Sequence, residues 1–80
     1  SDEPALLDRA VKSYDVAVRL YPNSPLHRGR LALALESAGQ IAPARRQADR
    51  ALELDAATPH QDKKLPGDLR ARLLRIAETQ

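Results

Sequence analysis

The chain repeats one sequence pattern at an interval of 34 residues. Residues 17–25 read AVRLYPNSP and residues 51–59 read ALELDAATP, which place alanine, a charged residue, leucine and a closing hydroxyl–proline pair in the same order. A fixed period between 20 and 50 residues is typical of stacked repeat proteins, in which each unit buries its apolar face on the next. The same offset relates matching residues over a longer stretch: Ala10 and Ala44, Asp15 and Asp49, Leu20 and Leu54, Leu31 and Leu65, and Leu35 and Leu69.

The composition favours helices over strands. The 80 residues allow one domain, and its core has to be built from leucine and alanine, because the chain has two tyrosines and no phenylalanine, tryptophan or methionine. Alanine lets helix backbones approach closely, whereas a β-sandwich needs larger side chains. The absence of cysteine excludes disulfides and thiolate metal sites. No apolar run approaches the roughly 18 residues of a membrane span, so we expect a soluble, cytoplasmic segment that does not insert into a membrane.

Proline, glycine and capping residues divide the chain into four predicted helices and no strand. Proline is favoured at the first position of a helix, and Asp2 or Glu3 suits the positive end of the first one. Ser24 is the predicted cap of the second helix, and Gly39 supplies its left-handed end. The predicted helices run from Pro4 to Tyr21, from Pro25 to Ala38, from residues 40–43 to about Leu54, and from Pro66 or Gly67 to Glu78, with an irregular stretch over residues 55–64.

Apolar residues at a 3.6-residue period predict which helix faces are buried. The first helix carries two stripes, and we expect the second of them to pack on a helix that precedes this chain. The predicted stripes are Leu6, Ala10, Tyr14, Ala17 and Tyr21, then Leu7, Val11 and Val18, on the first helix; Leu31, Ala34, Leu35 and Ala38 on the second; Ala44, Ala48, Ala51 and Leu52 on the third; and Leu65, Leu69, Leu73 and Ile76 at the last.

The chain resembles the tetratricopeptide repeats, whose 34-residue unit is a pair of antiparallel helices. This resemblance covers about residues 5–70 and implies a single all-α domain over residues 1–80, stacked as an α–α superhelix. Residues 1–24 match the second half of one unit, residues 25–58 a complete unit, and residues 59–80 a partial unit. The matching residues are Ala10, Tyr14, Ala17 and Pro22 in the first; Leu31, Ala32, Leu35, Gly39, Ala44, Ala48 and Ala51 in the second; and Leu65 and Leu69 in the third.

The third unit departs from the pattern at Pro66, where the family has a small helical residue. Because proline inside a helix costs about 3 kcal/mol, we predict that the last helix starts late and acts as a terminal cap of a longer array. The chain would then be the C-terminal fragment of that array, and its truncated N-terminal edge could self-associate. Residues 54–72 are also similar to the C-terminal tails of bacterial membrane proteins of the O-antigen ligase type, which end in such repeats.

No set of side chains in the sequence predicts catalysis or a cofactor. His27 and His60 are the only histidines, and neither has partners at metal-ligand spacing. No nucleophile–base set can be assembled, and three scattered glycines do not make a phosphate loop. We therefore expect a chain that is not an enzyme, holds no metal or cofactor, and takes no small-molecule substrate.

The tetratricopeptide resemblance implies a groove lined by the first helix of each unit. Basic residues dominate its predicted lining, which suits an acidic or carboxylate-ended peptide, because arginine matches carboxylate geometry. The asparagines of the family's two-carboxylate clamp are missing here, and the same charges can also be read as ordinary solvated surface. The predicted peptide-binding residues are Leu26, Arg30, Leu33, Ser37, Lys63, Lys64 and Arg70, with Gly29 beside them.

Three functions therefore stay open. We predict a protein–protein interaction or scaffolding module of a larger protein that binds a peptide through this groove. A purely structural C-terminal cap of a repeat array is the alternative. Nucleic-acid binding is less favoured, because the cluster Arg45, Arg46 and Arg50 is interrupted by acidic residues and has no aromatic residue beside it.

Overall fold

The chain folds into four α-helices that pack against one another. The computed structural model describes residues 3–79, so Asp2 lies outside the described residues. Within these residues there is no strand, which confirms the predicted all-α class. The elements are α1 (Glu3–Leu20), α2 (Pro25–Ser37), α3 (Ile41–Ala57), a short 3₁₀ helix (Gln61–Lys63) and α4 (Gly67–Glu78).

The turn between α1 and α2 is built from proline and serine, as predicted. Ser24 lies just before α2, and its Oγ accepts a hydrogen bond from the His27 backbone N–H at 3.2 Å. This bond satisfies one of the N–H groups that have no partner at the start of a helix. Pro25 takes the first helical position, where its missing N–H costs nothing. Ser24 and Pro25 therefore fix the start of α2.

The turn between α2 and α3 depends on Gly39. This residue has a φ of 79°, in the left-handed region that favours glycine. Its N–H donates to the Glu36 carbonyl at 2.9 Å, and the Gln40 N–H donates to the Leu35 carbonyl at 2.9 Å. These two bonds are the Schellman pattern, which satisfies the last carbonyls of a helix while reversing the chain. As a result α3 starts two residues later and runs back along α2.

The core forms where α3 packs against α2 and α4. Three alanines on one face of α3 are 0% exposed, namely Ala44, Ala48 and Ala51. Because these side chains end at Cβ, the neighbouring helices come close to the α3 backbone. Leucine, isoleucine and valine from the other elements fill the space around them. The buried apolar residues of these elements are Val18, Leu31, Ala32, Ala34, Leu35, Leu65, Leu73 and Ile76.

The late start of the last helix is confirmed. α4 begins at Gly67, directly after Pro66, and the preceding residues form the 3₁₀ helix and an extended turn. The sequence offset also appears in the packing: α1 contacts α2, and α3 contacts α4. In addition, α2 contacts both α3 and α4, so it lies at the centre of the bundle.

Two predictions about α1 are wrong. Leu6 and Tyr21, predicted on its buried stripe, are 58% and 61% exposed. Val18, predicted to pack on a preceding helix, lies instead in the core of the described residues, with Val11 against it. The reason is that α2 covers only the side of α1 that carries Val11, Tyr14 and Val18. Periodicity groups the residues of a face but does not say which face has a neighbour.

The end of α3 was also predicted too early. The helix continues three residues past Leu54, to Ala57, and it stops before Pro59, whose ring disfavours helical geometry at Thr58. The extension brings Asp55 inside the helix, where it is only 5% exposed. A charged residue that is this buried needs partners.

Asp55 holds the segment between α3 and α4 in place. Its Oδ1 accepts a hydrogen bond from the Leu65 backbone N–H at 2.7 Å, and its Oδ2 lies 3.5 Å from Arg70 Nε. Lys64 Nζ donates to the backbone oxygen of Asp55 at 2.9 Å. Asp55 of α3 thereby contacts Lys64 and Leu65 of the connecting segment and Arg70 of α4. Leu65, the residue whose N–H is bound, is buried in the core.

Replacement of Gly39 by alanine is expected to lower the free energy of unfolding by about 1 kcal/mol, because a side chain disfavours the left-handed conformation. The matched control is Gly67→Ala, at a glycine with no positive φ and no atom within 4 Å of the added Cβ. Urea unfolding followed by circular dichroism measures both variants. Equal stability of the two would contradict the role given to the α2–α3 turn.

Replacement of Asp55 by alanine is expected to cost about 2 kcal/mol, since it removes a hydrogen bond to a charged acceptor and leaves the Leu65 N–H buried without a partner. Asp49→Ala is the control, at an exposed carboxylate of the same helix. Thermal unfolding compares the two with the parent chain. If Asp55→Ala melted together with Asp49→Ala, the Asp55 contacts would be incidental.

Candidate functional site

A cleft opens between the start of α2 and the segment that leads to α4. Its volume is about 540 Å³. We call it the basic cleft, because Arg30, Lys63 and Lys64 line it together with a single acidic residue, Asp62. The remaining lining residues are Asn23, Ser24, Pro25, Leu26, Thr58 and Pro66.

Both walls of the basic cleft are held by the fold. The Ser24 cap and Pro25 set the start of α2, from which Leu26 and Arg30 project one turn apart. The facing wall is the segment that Asp55 ties down through the Leu65 N–H. Thr58 closes the end of α3, where its Oγ1 donates to the Leu54 carbonyl at 2.7 Å. The two walls therefore come from parts of the chain that are fixed by separate hydrogen bonds.

The cations of the cleft differ in how they are engaged. Lys64 already donates one hydrogen bond to the Asp55 backbone. Arg30 and Lys63 are exposed, and their side chains form no hydrogen bond or ion pair with any described residue. An ammonium has three donors and a guanidinium five, so most of the donor capacity in the cleft is unused. The cleft can therefore offer hydrogen-bond donors and positive charge to an anionic group.

Leu33 and Ser37 lie on the same face of α2 as Leu26 and Arg30, but outside the basic cleft. Leu33 is half-buried and packs against the core. Ser37 lines a second cleft of about 450 Å³ at the other end of α2, beside α1. Eleven residue steps separate Leu26 from Ser37, which is about 16 Å along a helix. The predicted residues thus form a strip on α2 rather than one pocket.

The second cleft has the opposite charge. Glu3 and Asp8 of α1 line it, together with Leu7 and Ser37. Asp8 also pairs with Lys12 at 3.1 Å on the exposed side of α1. The α2 strip therefore runs from a basic end to an acidic end. The cleft is completed by Pro4, Ala38 and Gln40.

Two residues predicted to face the groove are used elsewhere. Gly29 is buried against α4, since a Cβ placed there would lie 3.0 Å from Leu73 Cδ1 and 3.6 Å from Leu69 Cδ2. Arg70 does not line the basic cleft and lies beside the Asp55 carboxylate instead. The groove prediction for Gly29 is therefore wrong, and Arg70 has a structural contact.

Thr58, Asp62 and Asn23 also line the basic cleft, and no sequence pattern predicted this. Each lies in a turn or irregular segment, where no periodic pattern assigns a direction to the side chain. The one sequence feature that could have indicated these residues is their nearness to proline, because Pro22, Pro25 and Pro59 mark where the chain changes direction. Proline positions predict where turns occur, but they do not predict which two turns lie close together in the fold.

The remaining polar clusters show little organisation. His27 is half-buried, with its ring 5.5 Å from that of Tyr21, and His60 is exposed. Among residues 3–79, no group of three histidine, aspartate or glutamate side chains is arranged to hold a metal ion. Arg45 and Arg46 line a shallow depression together with Asp49. Arg50 pairs with Glu53 at 3.2 Å.

In the part of the chain that the structure describes, no helix combines the length and the apolar character needed to cross a bilayer.

Comparison with known proteins identifies no relative of this chain. No protein-family model, no curated protein and no solved structure matches the chain.

Proposed function

We propose that this chain is a protein-interaction module of the tetratricopeptide-repeat type, which binds an acidic segment of a partner protein in the basic cleft. The observation that carries the proposal is the pair Arg30 and Lys63, which lie on opposite walls of one cleft and whose side chains have no partners among the described residues. Helical hairpins at a 34-residue offset support the repeat assignment. A soluble, cytoplasmic setting and a non-enzymatic role remain part of this proposal.

The chemistry of the cleft favours a carboxylate. The Arg30 guanidinium can donate two parallel hydrogen bonds to the two oxygens of one carboxylate. Lys63 adds a second positive charge from the facing wall, and Leu26 and Pro66 offer apolar surface between them. An aspartate, a glutamate or a chain-terminal carboxylate next to a small apolar residue fits this lining. The acidic cleft at the far end of α2 disfavours a ligand that is acidic along its whole length.

The expected interaction is weak and sensitive to salt. Arg30 and Lys63 are exposed, and ion pairs between exposed groups contribute about 0.2–1 kcal/mol each. Screening reduces such contributions further as ionic strength rises. We therefore expect selectivity for acidic residues at low salt, with Leu26 and Pro66 supplying apolar contacts that are insensitive to salt.

The alternative of a purely structural cap rests on a specific observation. Lys64 and Arg70, two of the predicted groove cations, are engaged by Asp55 inside the fold. If Arg30 and Lys63 served only solubility, the whole basic segment would have no ligand. Nucleic-acid binding has less support, because Arg50 is already paired with Glu53 and Asp49 lines the same depression as Arg45 and Arg46.

The test is selection of peptides from a random display library by the immobilised chain. Enrichment of sequences with aspartate or glutamate beside an apolar residue is expected at low ionic strength. The double variant Arg30→Glu, Lys63→Glu is expected to lose this enrichment, because two cations of the cleft become anions. Circular dichroism confirms that the variant folds.

The matched control is Arg46→Glu, Arg72→Glu, which makes the same charge change at exposed arginines outside the basic cleft. It is expected to select the same acidic peptides as the parent. Unchanged selection by the Arg30, Lys63 variant, or no enrichment by the parent chain at all, would favour the structural cap. Equal loss in the control would mean that only net charge matters.

A further inference from the structure

The two copies of the repeated helix differ in how much of one face they bury. With the 34-residue offset, α1 corresponds to α3. Positions 44, 48, 51 and 55 of α3 are at most 5% exposed. The corresponding residues are Ala10, Tyr14 and Ala17 of α1, which are partly exposed, and Tyr21 directly after α1, which is 61% exposed.

The helix contacts explain this difference. Within residues 3–79, α3 packs against two helices, α2 and α4, whereas α1 packs against α2 alone. The contact between α1 and α2 corresponds to that between α3 and α4. The contact that α1 lacks therefore corresponds to the one between α3 and α2. Leu6 and Leu20, which border the same face of α1, are 58% and 68% exposed.

We propose that this face of α1 is a docking site for a helix of the α2 kind, in addition to the basic cleft and independent of it. The α1 face is defined by Ala10, Ala17 and Leu20, together with Tyr21 directly after the helix. Its occupant is an amphipathic helix with a leucine–alanine stripe, lying antiparallel to α1 as α2 lies against α3. The small residues Ala10 and Ala17 allow the same close approach that Ala44 and Ala51 allow in α3.

A second copy of this chain is a poorer occupant. Its own α2 is already in contact with three helices of its own fold, and its α1 face carries no stripe of the α2 type. Val16 supplies an internal control for the proposal. It is 54% exposed, but it corresponds to Arg50, which is exposed in α3, so it lies outside the face that the second helix covers.

The experiment adds a helix of the α2 kind in register. Residue 40 corresponds to residue 6, so a copy of residues 25–39 is joined directly to Leu6 in place of residues 1–5. We expect the melting temperature to exceed that of the 80-residue chain by at least about 5 °C, because the new helix covers the α1 face. Hydrogen exchange of α1 amides is expected to slow.

Two substitutions locate the effect. In the extended chain, Ala17→Glu is expected to abolish the rise, while Val16→Glu keeps it. The melting temperatures of both variants are also measured in the 80-residue chain, where each position is partly or largely exposed. If Ala17→Glu unfolds that chain, Leu20→Gln serves as a second variant of the α1 face. No rise, or a rise that Ala17→Glu and Leu20→Gln leave intact, would overturn the proposal.

Sedimentation equilibrium of the 80-residue chain tests whether a second copy of the chain occupies the α1 face. A monomer at high concentration is the expected result. A dimer that Ala17→Glu dissociates and Val16→Glu does not would show that a second copy covers the α1 face, and the proposal would then be wrong.

Discussion

The whole bundle depends on the close contact that the alanine face of α3 makes with its two neighbours. Ala44, Ala48 and Ala51 are fully buried, and no larger side chain could occupy their places without moving a helix apart from α3. This contact sets the distance from α3 to α2 and α4. Leu31, Leu73 and Ile76, each at most 3% exposed, pack around this face, so the core combines small residues on α3 with larger side chains from the neighbouring elements.

The basic cleft follows from the same contact. Asp55 lies one turn beyond Ala51 on the alanine face, so burying that face also buries its carboxylate. The carboxylate then needs partners, and it finds them in the Leu65 N–H and the Arg70 side chain. These contacts draw residues 58–66 against the start of α2, where Arg30 and Lys63 come to face each other across a cleft. A packing requirement thus determines where Arg30 and Lys63 lie.

Local signals predicted most of the fold and only part of the candidate site. Ser24, Pro25 and Gly39 act within a few residues of themselves, so the sequence alone located both turns around α2. The contacts of Asp55 were not predicted, because its partners Leu65 and Arg70 lie 10 and 15 residues further along the chain. Its place four residues after Ala51 could nevertheless have indicated that it is buried. Tyr21 was misplaced for the opposite reason: its spacing was right, but no helix covers that side of α1. Arg30 and Lys63 were predicted by resemblance to a family groove, and their juxtaposition depends on a turn that no pattern described.

Enlarging the middle of the alanine face tests the central claim most directly. Urea unfolding of Ala48→Leu is compared with that of Ala56→Leu, an exposed position on the same helix. We expect Ala48→Leu to lose at least about 2 kcal/mol of unfolding free energy, because overpacking a filled interface forces helices apart, while Ala56→Leu stays near the parent value. Equal stability of the two variants would show that the helices do not meet at α3 as described.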